Sequence, residues 1–288
     1  MSAYKLPLLI LGIVLILAAG IWHLGLSERW EKRLPDGWVW EMNTLGTNRY
    51  PEENGEYPPD REFPADDDIN LTERTIMVTD TSAPAGSVEI SDHSFVRDAI
   101  TSAVIWDYTA TAVVDPHDAR HTEYPDDYFI FPRNVEKTTY NIRNSSYKGL
   151  PVEYVGEEEI EGILTYHFAF HGEMDNTEGY PDQPLEANQK IHCADLYLEY
   201  WVEPRTGEVI KFKEGCAGDY VYDTQTGENL IALSRWSAES SPDDIIRRVN
   251  TVNAQRRTLL LTTSYIPLLL AAAGVVVLGV GAAGYIRS

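Results

Sequence analysis

Apolar residues are distributed along this chain in two ways. Near its ends they run together, over residues 6–24 and 259–286, with no acidic or basic side chain in the middle of either run. About 20 such residues cross a hydrocarbon core about 30 Å thick, so the pattern predicts transmembrane helices over 6–25 and 259–286. Between them, apolar and polar positions alternate. Within 163–171, Leu164, Tyr166, Phe168 and Phe170 share one face and Thr165, His167, Ala169 and His171 the other, as in a strand with one buried side. Comparable runs occupy 74–80, 101–114, 196–202, 208–213 and 220–234. The fold class implied is mainly β: an antiparallel β-rich domain over 26–240 between an N-terminal and a C-terminal transmembrane helix. Its 50–70 stretch, with Pro51, Pro58, Pro59, Pro64 and many acids, reads as a loop.

Two turns repeat one design. Glu203-Pro204-Arg205-Thr206-Gly207-Glu208 and Asp223-Thr224-Gln225-Thr226-Gly227-Glu228 each place an acid ahead of Thr-Gly-Glu. The acid can cap the turn and the glycine can supply a positive φ, so both predict hairpins. The first hairpin brings Cys193 and Cys216 to within one or two residues of facing one another, and a disulfide there contributes about 3 kcal/mol; two free thiols are the alternative. Leu198, Tyr200 and Val202 are expected to oppose Ile210 and Phe212. Ser241-Pro242-Asp243-Asp244 marks a helix start, and no breaker follows until Pro267. A juxtamembrane helix over 241–258 therefore runs on into the membrane as a stalk, with Arg256 and Arg257 near headgroup level.

At the first apolar run, retention as an anchor is favoured over cleavage as a secretory signal, since the run continues through Ile21, Trp22 and Leu24. In the second, Gly274, Gly281, Gly284 and Ala271–Ala273 with Ala282 either face lipid or let another helix approach. Arg29, Lys32, Arg33, Arg247, Arg248, Arg256 and Arg257 flank the middle domain, which on a simple count would hold it in the cytoplasm. Segments this long cross largely regardless of flanking charge. Two cysteines suited to one disulfide and the sequons at Asn70 and Asn144 point outward instead. The expected topology is two-pass, with the domain extracellular and both termini cytoplasmic.

Charge narrows the habitat and the partners. The 45 acids against 23 basic residues leave a net charge of −22, tolerable where concentrated salt screens repulsion, so a salt-loving archaeal source is expected. Nucleic acid is excluded as a partner, because phosphate binding needs clustered Lys and Arg. The partners expected are the bilayer, and other envelope proteins or further copies through the terminal helices.

Chemistry is sparse. His117, His121 and Glu123 have the spacing of a metal site only if their segment is helical, and Pro116 with the adjoining acids reads as a loop. The acidic runs 66–68 and 157–159 follow from composition, and no nucleophile elbow, phosphate loop or dinucleotide fingerprint is present. No cofactor and no enzymatic activity are implied.

Four blocks in order resemble the domain-of-unknown-function proteins grouped as the porin PorA family: Phe131-Pro132-Arg133-Asn134-Val135-Glu136-Lys137-Thr138-Thr139-Tyr140, then Glu153-Tyr154-Val155-Gly156-Glu157-Glu158, then Gly162-Ile163-Leu164-Thr165-Tyr166-His167-Phe168, then Trp201-Val202-Glu203-Pro204-Arg205-Thr206-Gly207. Glu203 stands where the family pattern has Asp, and Asn141-Ile142-Arg143 replaces its aromatic and acid. The resemblance implies an exported domain held by terminal helices and transfers no catalytic residues. The strands carry acids and threonines on their second face, unlike a lipid-embedded barrel. The function expected is that of a binding or structural envelope protein; the alternative is an ectodomain that binds or transfers a lipid or other apolar ligand in a cavity.

Overall fold

A computed structural model describes residues 5–23, 33–34, 37–49, 69–80, 83, 86–144, 147–180 and 182–286. Nearly all of the expected 50–70 loop lies outside the described residues. The elements are α1 (Lys5–Ile21), β1 (Val39–Arg49), β2 (Ile69–Asp80), β3 (Val88–Asp98), β4 (Val104–Val114), β5 (Asp127–Tyr128), β6 (Tyr140–Arg143), β7 (Lys148–Ile160), β8 (Ile163–Asp175), β9 (Gln189–Val202), β10 (Val209–Asp223), β11 (Asn229–Ser240), α2 (Pro242–Leu260) and α3 (Ile266–Ile286). Among the described residues, all strands lie in one sheet of order β4-β3-β2-β1-β11-β10-β9-β8-β7-β6-β5. Every pair is antiparallel except β5 with β6.

The sheet is strongly curled. β2 and β6 stand seven strand steps apart, about 34 Å on a flat sheet, yet Ile76 of one and Ile142 of the other line the same small cavity. The 115–139 segment, which joins strands at opposite edges of the sheet, fills the space inside the curl with Ala119, Phe129, Ile130, Phe131 and Val135. Phe131 is its centre, with the rings of Tyr140, Phe168 and Tyr200 at 5.4, 5.0 and 5.4 Å. The segment also ties the two edges together, through bridges Val114 to His121 and Arg120 to Tyr128.

Bulges set which face a residue meets. A register shift between Val209 and Lys211 leaves Phe212 opposite Tyr200 as expected. Ile210, however, turns to the outer face, where it joins Ile163, Val249 and Val252 in a second small core beneath α2. Thr165 is likewise fully buried while Leu164 is 48 % exposed, the reverse of the simple alternation. A helix lying on the outer face of the sheet makes part of that face a core face.

α2 is therefore no free stalk. Ser241 caps it by accepting a hydrogen bond from the Asp244 amide, with Pro242 at the start. From there the helix packs along the sheet before running on. A π-helical turn, Leu261–Tyr265, precedes Pro267. It accommodates the missing amide and the ring that would otherwise press on the preceding turn. Helix Pro242–Ala283 is long and apolar enough to cross a membrane; Leu6–Ile21 is apolar but shorter. α1 packs antiparallel on α3: a Cβ on Gly12 would meet Leu278 and the Gly274 carbonyl, one on Gly274 would meet Ile16, and one on Gly281 would meet Leu9. Trp22 donates its indole N–H to the Thr262 carbonyl at 2.9 Å. Gly274 and Gly281 thus serve the contact between the two helices.

Candidate functional site

The β9–β10 turn, 203–208, sits at the base of the β domain, the end from which the chain enters α3. Glu203 is buried, and its carboxylate accepts from the Thr206 amide at 2.7 Å and the Thr206 hydroxyl at 2.6 Å. Gly207 has φ +74°, and a Cβ there would lie 2.1 Å from the Pro132 carbonyl, so glycine is required both for backbone conformation and for close approach. The turn is sewn to the interior segment by Val135 N–H to the Pro204 carbonyl, 2.6 Å, and Asn134 N–H to the Arg205 carbonyl, 3.2 Å.

Chain from both ends of the β domain converges on this turn. Arg33, which precedes β1, is 2 % exposed. It donates to Glu208 at 2.9 Å, to the Phe131 carbonyl at 2.9 Å and to the Gly207 carbonyl at 3.2 Å. From α2, Gln255 reaches Glu208 at 3.2 Å and Arg256 reaches Glu203 at 3.7 Å. About two turns up, Arg248 pairs with Asp244 at 2.7 Å, donates to the Val209 carbonyl at 3.0 Å and to the Glu41 carbonyl, and lies over the Trp40 ring at 4.2 Å. Charges buried with this many partners fix geometry more than they add net stability.

A second polar cluster lies inside the curl. Arg74 of β2 forms a two-point pair with Asp92 of β3 at 2.8 and 2.5 Å, and Tyr147 donates to Glu214 of β10. Burial pushes the Glu214 carboxyl up to about 7, against the pull of the Arg74 charge, and pushes the Tyr200 phenol up as well. Arg74, Asn144 and Tyr200 border a cavity of about 30 Å³ that is otherwise walled by Trp40, Phe129 and other apolar side chains. That volume holds a water or two, whereas a lipid or drug-sized ligand needs several hundred Å³.

The remaining sequence-derived candidates scatter. Cys193 and Cys216 form a disulfide with Cα atoms 5.9 Å apart. In register, Cys193 faces Asp219 and Cys216 faces Leu196, a larger offset than the hairpin count predicts. Asp195, with φ +57°, and a bulge between Cys216 and Asp219 mark the irregular stretch in which they meet. Asp223 caps its turn through the Gln225 and Thr226 amides, at 2.7 and 3.1 Å, with Gly227 at φ +78°; this turn is at the far end of β10 from Glu203, Pro204, Thr206 and Gly207. Asn70 is buried and Asn144 half-buried against the interior cavity. His117 is exposed in a turn, His121 is buried with Nε2 at the Arg143 carbonyl, 2.9 Å, and Glu123 is exposed. The segment is not helical, so the spacing does not create a ligand set. Among the described residues, the group with metal-ligand proximity is Cys193, Cys216 and Asp219, and its sulfurs are committed to the disulfide. Arg33, Glu208 and Arg248 were visible only as membrane-flanking or turn charges; partners 175 residues apart leave no local signal.

Residues 58–283 match the model of a family described as porin PorA. No curated protein matches the chain. Among solved structures, an exported protein with a YmcC-like fold from Bacteroides fragilis is 10 % identical, over 72 % of this chain and 97 % of that one, with a TM-score of 0.28. An acyl-CoA hydrolase from Agrobacterium tumefaciens is 8 % identical, over 81 % and 87 %, with a TM-score of 0.15. A DUF1329 family protein from Desulfovibrio piger is 11 % identical, over 80 % and 90 %, with a TM-score of 0.13. These scores are too low to carry an argument about this chain.

Proposed function

Starting from the fact that this chain belongs to the porin PorA family, we propose that it is a two-pass cell-envelope protein of a salt-loving cell, with its β domain outside and its termini in the cytoplasm, acting by binding or structural contact and not by catalysis. The observation that carries this reading is the convergence of Arg33, Gln255 and Arg256 on one hairpin turn: the chain from either side of the β domain is locked to the same point, which suits a domain held in fixed orientation over its anchor. The disulfide supports an oxidising compartment, and the antiparallel packing of α1 on α3 supports a helical hairpin as the anchor.

Catalysis is the less economical reading because the best-buried carboxylates, Asp92, Glu203, Glu208, Asp219 and Asp244, are bound to structural partners. Pore formation by the strands is disfavoured by the outer face of the sheet. There His167 pairs with Glu199 at 2.9 Å, Lys211 with Glu239 at 2.9 Å, and Glu158 takes the Trp201 N–H at 2.6 Å, where a lipid-facing barrel needs an apolar band. The lipid-carrier alternative is not adopted, because the cavity that Arg74, Asn144 and Tyr200 border among the described residues holds only about 30 Å³.

Crosslinking in native membranes, followed by identification of what is captured, tests the reading. A reproducible envelope protein or surface polymer captured through the β domain is the expected result. A saturable hydrolase or transferase activity of the purified chain, abolished by one point substitution, would overturn it.

A further inference from the structure

β4 forms one edge of the sheet, and among the described residues its strand partner is β3 alone. It reads Val104-Ile105-Trp106-Asp107-Tyr108-Thr109-Ala110-Thr111-Ala112-Val113-Val114: a single charged residue and no proline, glycine or lysine, in a chain of net charge −22. Residues of those kinds ordinarily blunt a sheet edge, whose open N–H and C=O groups otherwise recruit a further strand. Val104, Ile105 and Tyr108 are 58, 43 and 37 % exposed, and Asp107, Thr109 and Thr111 are exposed as well.

The ladder decides which backbone groups this edge presents. In an antiparallel pair, alternate residues turn both N–H and C=O to the same side. The Val113 carbonyl accepts from the Thr122 N–H at 3.0 Å, away from β3, so Thr111, Thr109 and Asp107 turn their groups outward while Ala112, Ala110 and Tyr108 turn theirs to β3. The outward run is closed at both ends. Thr122 takes Val113, and a bulge falls at Ile105, where the register steps from Val96–Trp106 to Arg97–Val104. The open stretch is therefore 106–112, centred on Thr109.

That stretch is complementary to itself. A second copy laid antiparallel about a two-fold axis at Thr109 sets Thr109 against Thr109 and Asp107 against Thr111, so that every outward residue meets an outward residue. The strand's one acid then faces a hydroxyl and not its twin, and Tyr108 stands opposite the small Ala110. Self-complementarity of one patch is the condition for an isologous contact. β4 also runs toward the base of the domain, since beyond its end the Pro116 carbonyl takes the Leu34 N–H and the His117 carbonyl takes that of Arg33, the residue locked to Glu208. Antiparallel pairing thus turns the second copy end over end and points the two bases in opposite directions.

We propose that β4 is a homotypic contact strand, through which two copies of this chain in facing membranes join their sheets by antiparallel pairing centred on Thr109. The placement in facing membranes rests on the membrane-anchored reading above; the strand contact does not. A stretch this short buries little surface, so a single contact is weak, and many of them between two surfaces gain by avidity.

The test uses the full chain in detergent and in phosphatidylcholine vesicles, both in molar KCl, where repulsion between the acidic copies is screened to about 3 Å. The native cysteines are already bonded to each other, and opposed residues of a hydrogen-bonded antiparallel pair have Cα atoms about 5.5 Å apart, within reach of a disulfide. Under mild oxidation in detergent, Thr109→Cys is expected to form a linked dimer several-fold faster than Ile100→Cys, a control on the exposed β3–β4 turn. Adding Thr111→Pro should abolish the link, because the Thr111 N–H points outward and proline there removes a bond to the partner and none to β3. Vesicles carrying the chain should cluster, and those carrying Thr109→Lys, which opposes like charges at the axis, should not. Unfolding midpoints of Thr111→Pro and Thr109→Lys within a few degrees of the parent separate loss of contact from loss of fold. Equal rates at the two cysteines, or a link that survives Thr111→Pro, overturns the strand contact. Linking in detergent without clustering of vesicles overturns the facing-membrane arrangement. Failure of the chain to enter vesicles overturns the anchored reading, and the detergent result then decides the strand contact by itself.

Discussion

At the scale of single residues, the base depends on Arg33 and Glu208, both nearly inaccessible to water. Removing one member of a buried pair strands the other, at a cost of about 3–5 kcal/mol. Arg33→Met is expected to lower stability by that order in a denaturant titration. Arg33→Met/Glu208→Gln should recover part of the loss, because no buried charge is then left alone; a double variant less stable than the single one would show that the pair is not the cause. Glu214 makes a prediction about pH. Its carboxyl titrates near 4.5 in the unfolded chain and near 7 in the folded one, so the folded state binds the proton more tightly between these values. The contribution of this group to stability is therefore complete below about 4.5 and is lost as pH rises to about 7. Glu214→Gln should remove that slope. The difference between variant and parent should widen in the variant's favour from pH 5 to 7 and then level off, and a difference independent of pH would contradict the assignment.

At the scale of elements, the twin turns provide a matched comparison. Gly207 and Gly227 have nearly the same φ, +74° and +78°, but a Cβ on Gly207 strikes the Pro132 carbonyl whereas one on Gly227 has as its nearest neighbour the Tyr222 hydroxyl at 4.0 Å. Gly227→Ala should cost only the left-handed backbone penalty, about 1–2 kcal/mol, and Gly207→Ala at least twice that by thermal or chemical denaturation. Equal costs would mean that the base turn is not packed as described. The sequence disclosed both turns because acid, Thr and Gly are local signals for turn chemistry. The strands that it failed to announce fail for a physical reason. β7 reads Glu157-Glu158-Glu159 near its end, and all three are exposed, Glu157 reaching Lys137 at 2.7 Å and Glu158 holding Trp201, so this stretch has no apolar face to alternate. In β3, Asp92 faces the core as the partner of Arg74. Strands whose buried face carries paired charge do not alternate in hydropathy. The bulge before Lys211 and the docking of α2 likewise depend on surfaces brought together only by folding, which is why alternation alone puts Ile210 on the inner face and leaves Thr165 open to water.

At the scale of the molecule, charge and anchoring act together. Most of the excess acids lie in the β domain, and the Debye length falls to about 3 Å in molar salt. The unfolding midpoint of the full chain should rise steeply from dilute buffer to molar KCl, with partial loosening and not complete unfolding at the low end, since the interior aromatic cluster and the Cys193–Cys216 bridge do not depend on salt. A midpoint flat across that range would remove the argument for a salt-loving source. On the topology proposed above, the β domain stands outside the cell on its helical anchor. The native cysteines are too buried to report on this, with exposures of 0 % and 1 %, but Thr224 is exposed at the far turn. The most direct measurement is labelling of full-length Thr224→Cys in intact cells with a membrane-impermeant maleimide. Labelling as complete in intact cells as after lysis is the result predicted here, and labelling that appears only after lysis would place the domain in the cytoplasm and contradict the account.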